Sequence, residues 1–537
     1  MGPPADEAVA AALARRLARA QALRQSGDAL AAAAEYEALV SADPRQPEAW
    51  YALAALAWGS GRFRLAVQNA RFAAIAIHES GQWARLADVA QLLLDLGETP
   101  LALRAIREAN LADPVVLGQA DRLAGCLGQG DSHADALRLL DRALSANPAS
   151  PALAYLQATT LRHLGRTGEA GEAYERCLAL APAHPGALLM LATQARTNDI
   201  PRQLARVVHA LDGAPVEAAR PLLEYARFTL LDRAGDTGAA WEALMRGAAS
   251  KRRQVHWDAA REDARIDAIQ ALCRPPFVTA APAPARGDAH VPLFITGMPR
   301  TGTTVLERIL GNHAEVSSAG ELNDFHLQLS WQADIASDER ASPALLQACR
   351  TLDFAAVGRG YLQRTGWRTN GRRFLIDKFP PNILYAGLIH KALPQARILC
   401  LVRDPLDTCL SNLRELFAGD HYAYSYDPLE TAAEIVRFHR LVRHWQDVLP
   451  GIVLAVRYEE LVREPERVAR AVMAHGGLPW QPGCTDLLAN AAPSATASST
   501  QVRQPLHARN IGAWRRYEAP LAAARTFLEA RLPSESW

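Results

Sequence analysis

Lysine is scarce in this chain: among 537 residues it occurs only as Lys251, Lys378 and Lys391, and arginine carries almost all the positive charge. The acids match it, 57 Asp and Glu against 58 Lys and Arg, so the formal net charge is +1. That balance makes no general electrostatic case for nucleic acid or an acidic membrane surface as partner. Cysteine is sparse as well. The seven copies at 126, 177, 273, 349, 400, 409 and 484 form no C-x-x-C pair and no disulfide framework, so a reduced, cytoplasmic setting is expected. No run of about 18 apolar residues suggests a membrane span. The opening Met1-Gly-Pro-Pro-Ala-Asp-Glu7 lacks the basic and apolar regions of a signal peptide. The length suggests several domains, with ample chain to bury a core.

What is present begins with a period. Glycines fall at 27, 61, 97, 130 and 165, and prolines at 44, 114, 148 and 182, the last three 34 residues apart. That spacing is the tetratricopeptide period. The segment from Pro151 to His184 shows it well, with small Ala158, Ala170 and Cys177 at positions where paired helices approach closely. Six or seven units are expected over 12–252, an all-α solenoid that binds protein or mediates dimerisation. His163 and His184 read as surface residues. A helical joint and a Pro/Ala-rich linker should occupy 253–290, and a second domain 291–537.

That second domain opens on Val291-Pro-Leu-Phe-Ile-Thr-Gly297-Met-Pro299-Arg300-Thr301-Gly302-Thr303-Thr304, followed by an apolar-periodic helix. A strand that turns through glycines into a helix aims backbone N–H groups and the positive helix end at one point, which makes an anion site. The spacing of Gly297 and Gly302 fits the nucleotide-triphosphate loop, yet Thr303 stands where that loop has its lysine. An ATP-dependent phosphotransferase would lack the cation that reaches the terminal phosphates. Arg300 offers a planar fork of donors instead.

Pro299-Arg300-Thr301-Gly302-Thr303-Thr304 resembles the 5′-phosphosulfate loop of sulfotransferases, which move a sulfuryl group from 3′-phosphoadenosine 5′-phosphosulfate (PAPS) to a hydroxyl or amine. The repeats before it are similar to those of bacterial repeat–sulfotransferase fusions. The resemblance runs from 291 to about 517 and implies an α/β, P-loop-like domain with a mainly parallel sheet. Thr301 departs from the commoner serine but keeps a hydroxyl. By likeness to tyrosylprotein sulfotransferases, Gly320-Glu321 supplies the base that takes the acceptor proton, with Asp324 and His326 as other candidates. Lys378, which with Asp377 ends the strand that starts at Arg373, matches the lysine that stabilises the departing oxygen. Arg403 and Ser411 match the 3′-phosphate motif R-D-P-x-x-x-x-x-S, and Tyr458 a late-strand tyrosine on the nucleotide's 3′ side. In a C-terminal loop Ser498 (or Ser499) and Arg503 take the places of a serine near the transferring group and a basic residue on the 3′-phosphate. PAPS is thus the expected donor and no metal is implied. The acceptor is left open among protein, peptide and small molecule. A repeat scaffold with a non-catalytic nucleotide-binding domain is the other reading.

Overall fold

The structure is a computed structural model that describes residues 5–279, 290–490 and 505–534. The chain divides into two compact units: Met1–Leu164 with His326–Cys349, and Gly165–Phe325 with Arg350–Trp537.

In the first unit, helices alternate with tight turns, among them Pro47–Gly59, Phe63–Ser80, Leu86–Asp95, Thr99–Glu108 and Ala120–Gln129. Proline opens a helix such as Pro47–Gly59 without loss, because the first-turn N–H has no intrahelical partner. Ala54, Ala66, Ala70 and Ala73 let backbones approach, and Leu93, Leu123 and Leu140 fill the space between helices. The segment 326–349 packs with these helices. Leu327 joins their core and Trp331 lies against it. The Arg64 N–H donates to Asp334 Oδ1 at 2.8 Å, and the Ala336 N–H to the Gly61 carbonyl at 3.0 Å.

The second unit starts with the repeat helices Thr167–Leu180, Pro185–Gln194, Ile200–Asp212, Arg220–Ala234 and Thr237–Arg252. His163 and His184 are half-buried rather than surface residues, and the His184 ring accepts the Ala187 N–H to cap a helix. The helical joint expected from 253 onwards is the helix Ala259–Leu272, and the Pro/Ala-rich stretch opens with a short helix, Pro275–Thr279. Prolines at its first two positions are tolerated because no N–H is needed there. A further helix, Phe354–Thr365, starts where the Asp353 carboxylate accepts the Ala355 and Ala356 N–H groups.

The sheet has strands β1 (Val291–Gly297), β2 (Val316–Ser318), β3 (Phe374–Lys378), β4 (Arg397–Val402) and β5 (Val453–Arg457) in the order β2-β3-β1-β4-β5. All neighbours run parallel. Parallel strands covered on both faces carry near-continuous apolar runs, and Leu293, Phe294 and Ile295 are fully buried. Ile295 pairs with Lys378 and Gly297 with Leu401, so β1, β3 and β4 end close to one level. Everything that follows a strand end therefore gathers at one edge, where open parallel sheets bind ligands.

Candidate functional site

The loop after β1 is shaped by three residues with positive φ: Gly297 at 151°, Arg300 at 68° and Gly302 at 101°. A side chain at 302 would meet the Tyr458 ring at 2.6 Å, so only glycine lets the loop lie against it. The Thr301 hydroxyl donates to the Met298 carbonyl at 2.7 Å and fastens the turn. The helix Thr303–Gly311 then starts without a side-chain cap, leaving its first N–H groups and positive end facing the loop. Thr303 and Thr304 are buried at this start. Arg300 is largely buried beside Glu415, 3.7 Å from Nε to carboxylate. Burial pulls its guanidinium pKa below the usual value, against the opposing pull of Glu415. A desolvated cation of this kind gains from a bound anion.

The loop is braced from the next strand. The Asn412 side chain donates to the Pro299 carbonyl at 3.0 Å, and Arg403 Nη1 donates to the Arg300 carbonyl at 3.1 Å. Arg403, at the end of β4, lies over the Tyr458 ring at 4.6 Å and donates through Nη2 to the Asn510 carbonyl at 2.6 Å. Among the described residues its buried Nε has no hydrogen-bond partner, and such a group is rare without a ligand or water. Its nearest acid is Asp407 at 3.8 Å, while Asp404 caps the helix Pro405–Leu413 by accepting the Asp407 N–H. Ser411 is half-buried on that same helix.

On the other side of β1, Lys378 is almost fully buried. Its Nζ donates to Glu321 Oε1 at 2.5 Å and lies 3.8 Å from Glu307. The Lys378 N–H donates to the Gly320 carbonyl, fixing the Gly320-Glu321 turn beside the strand end. Glu321 is half-exposed, and Glu307 is held by the Ser318 hydroxyl at 2.6 Å. Asp377 does not serve as the lysine's counter-ion. It accepts from the Tyr361 hydroxyl at 2.8 Å and from Asn382 at 3.0 Å in the interior. Asp324 lies against Arg364, and burial with the nearby charge of Arg340 lowers the His326 pKa to about 4, which leaves a neutral ring. Tyr424 and Tyr426, in the short turn Ala423–Tyr426 after the Ser411 helix, are buried.

The structure thus brings the loop 299–304, Arg403 and Tyr458 together, and joins Glu321 to Lys378. Ser498, Ser499 and Arg503 lie outside the described residues. Sequence reasoning missed Asp407, Asn412, Glu415 and Glu307, which are common residue types whose partners are distant in the chain. Asp407 and Asn412 do fall inside the R-D-P motif and its helix, where the motif's own turn should have drawn them in.

The model of the sulfotransferase family matches residues 292–482, and that of the tetratricopeptide repeat matches 17–75 and 127–185. An uncharacterized protein of Aquifex aeolicus is 27% identical over 378 residues, covering 67% of this chain and 48% of its own. Nodulation protein NoeE of Sinorhizobium fredii is 28% identical over 233 residues, 37% of this chain and 52% of that one. The protein-tyrosine sulfotransferase of Drosophila melanogaster is 22% identical over 201 residues, 35% of this chain and 38% of that one. The chain spans about half the length, or less, of these curated relatives. Among solved structures, the sulfotransferase domain of a Synechococcus olefin synthase matches 47% of this chain and 100% of its own at 18% identity, with a TM-score of 0.32. Among the described residues no helix is long and apolar enough to cross a membrane.

Proposed function

We propose that the protein is a PAPS-dependent sulfotransferase acting on an acceptor hydroxyl, with a protein or peptide tyrosine as the favoured class. The observation that carries this reading is the pairing of two arginines around one loop. Arg300 lies largely buried inside an anion cradle that has no lysine, and Arg403 stands buried behind it with an Nε that has no hydrogen-bond partner among the described residues. A donor with a phosphosulfate at one end and a phosphate at the other suits two such forks better than a triphosphate does.

In this reading the loop N–H groups with Arg300, Thr303 and Thr304 hold the 5′-phosphosulfate, and Pro299, Thr301 and Gly302 shape the turn. Arg403 and Ser411 hold the 3′-phosphate, Tyr458 stacks beneath Arg403, and Arg503 adds a second cation. Glu321 takes the proton of the acceptor hydroxyl while the acceptor oxygen forms its bond to sulfur. Lys378, with Ser498, stabilises the electron pair that stays on the bridging phosphate oxygen as its bond to sulfur breaks. Adenosine 3′,5′-bisphosphate leaves and the acceptor carries a sulfate ester. The repeats over 12–252 recruit the acceptor or a partner, and the domain at 291–537 carries the chemistry. The setting is the cytoplasm, with which seven buried cysteines agree.

Calorimetric titration with adenosine 3′,5′-bisphosphate and with ATP, on wild type and Ser411→Ala, tests the reading. Bisphosphate should bind tightly, ATP weakly, and the variant should lose about tenfold in bisphosphate affinity, or roughly 1.4 kcal/mol. Tight ATP binding without the bisphosphate would refute it. If neither binds, a scaffold that retains only the fold is left.

A further inference from the structure

The helix Arg220–Ala234 belongs to the repeats, yet its buried acid, Asp232, faces none of the repeats' own cations at its strongest contacts. Asp232 Oδ2 accepts from Arg414 Nη2 at 2.7 Å, and Oδ1 accepts from the Tyr517 hydroxyl at 2.6 Å and forms an ion pair with Arg516 Nη2 at 3.0 Å. Arg516 Nη2 also donates to the Asp232 carbonyl at 3.0 Å. Arg414 is the residue that ends the Ser411 helix, and Tyr225 of the same repeat helix donates its hydroxyl to the Leu413 carbonyl at 3.0 Å. Trp241, on the next repeat helix, packs its ring 5.6 Å from that of Tyr517.

The other ends of these two segments meet as well. Asp407, at the start of the Ser411 helix, accepts the Gly512 N–H at 2.6 Å and the Trp514 N–H at 3.1 Å, next to the Arg403–Asn510 hydrogen bond. The helix Pro405–Leu413 and the C-terminal segment 510–517 are therefore tied to each other at one end and to one carboxylate at the other. One tie lies beside Arg403, which donates to Asn510, and the other holds Arg414, at the end of the helix that carries Ser411.

Resting on the function proposed above, we infer that Asp232 is a positioning residue for the 3′-phosphate end of the nucleotide site, so that the last repeats are part of that site's framework. One buried negative charge satisfies two guanidinium groups and a phenol from two different segments. Removing that charge leaves both arginines without their acid and frees the segments to part. Asp232 touches neither nucleotide nor acceptor in this arrangement, so its loss should be felt as lost discrimination for the 3′-phosphate.

Two readouts on the full chain test this, using Asp232→Asn and the milder Tyr517→Phe, which keeps the ring on Trp241 and removes one hydrogen bond. First, in the nucleotide-free protein, amide hydrogen exchange over 405–414 and 510–517 should quicken at least tenfold in Asp232→Asn and less in Tyr517→Phe, with β1 and β3 unchanged. Unchanged exchange in these segments overturns the inference whatever the ligand proves to be. Second, adenosine 3′,5′-bisphosphate should bind Asp232→Asn about tenfold more weakly, while adenosine 5′-phosphate, which lacks the 3′ group, should change less than twofold. An equal loss for both nucleotides, in a variant that melts like wild type, also overturns it. Wild type that ignores the bisphosphate refutes the function and leaves the exchange result to decide the positioning role. If Asp232→Asn does not fold, Tyr517→Phe decides alone. A shift confined to the bisphosphate supports the role, and none refutes it.

Discussion

Asp377 and Lys378 are adjacent on β3 and meet opposite surroundings, because side chains alternate along a strand. Lys378 finds two carboxylates, whereas Asp377 is fully buried with Tyr361 and Asn382 as its donors. Burial outweighs those donors and, with the charge of Asp324 adding to it, pushes the Asp377 carboxyl up to about 8, against 3.8 for an ordinary Asp. A raised folded pKa means that the folded state holds more protons than the unfolded chain between these two values, so stability falls as pH rises through them. The contribution is complete below the lower value and gone above the upper one. Asp377→Asn cannot titrate and should escape this loss. Thermal melts of both proteins between about pH 5 and about pH 8.5 should show the gap moving in the variant's favour by up to about 1.4 kcal/mol per pH unit. Parallel curves would mean that Asp377 is ionised in the fold throughout.

At the scale of the element, the strand–loop–helix cradle is the part of the site that reads best from sequence, because its determinants are local. An apolar strand, two spaced glycines, an arginine and a periodic helix all lie within about twenty residues, and each has its own signature. The braces of that cradle do not read so easily. Asn412 reaches Pro299 across 113 positions, and Arg403 reaches Asn510 across 107. Neither side chain differs in type from a surface residue until the sheet order brings β4 beside β1. The same holds for Gly302: the positive φ is legible as a glycine in a turn, but the Tyr458 ring against it is not. Gly302→Ala forces both a Cβ at 2.6 Å from that ring and a backbone at 101° in φ. Strain of this kind costs about 1–3 kcal/mol. The loop should retreat from Tyr458 and so from Arg403, weakening adenosine 3′,5′-bisphosphate binding by at least tenfold in calorimetry and lowering the melting temperature. Gly311→Ala, at the end of the same helix where the nearest atom is an Asn490 side-chain nitrogen at 3.4 Å, is the control and should bind as wild type does. Equal affinity in both variants would show that the loop does not depend on its seat against the ring.

Across the whole molecule, chain order and packing group the residues differently. The segment 326–349 lies between β2 and β3 in sequence, but its apolar side chains, Leu327 foremost, sit in the alanine-rich core of the first repeats. Nothing in its composition marks this, since Leu and Trp on a short helix are equally suited to any apolar face. The packing has a thermodynamic consequence, because cooperative opening follows shared cores and not chain order. Leu93 is fully buried in the core that Leu327 joins. Leu93→Ala should cost about 2–5 kcal/mol of local stability through lost burial and the cavity left behind. Native-state hydrogen exchange should then quicken together in the helices around Leu93 and in 326–349, while the amides of β1, β3 and β4 keep their wild-type rates. Exchange in 326–349 that stays coupled to the strands and ignores Leu93 would show that the segment opens with the sheet. Its place in the repeat core would then be a contact without cooperative weight.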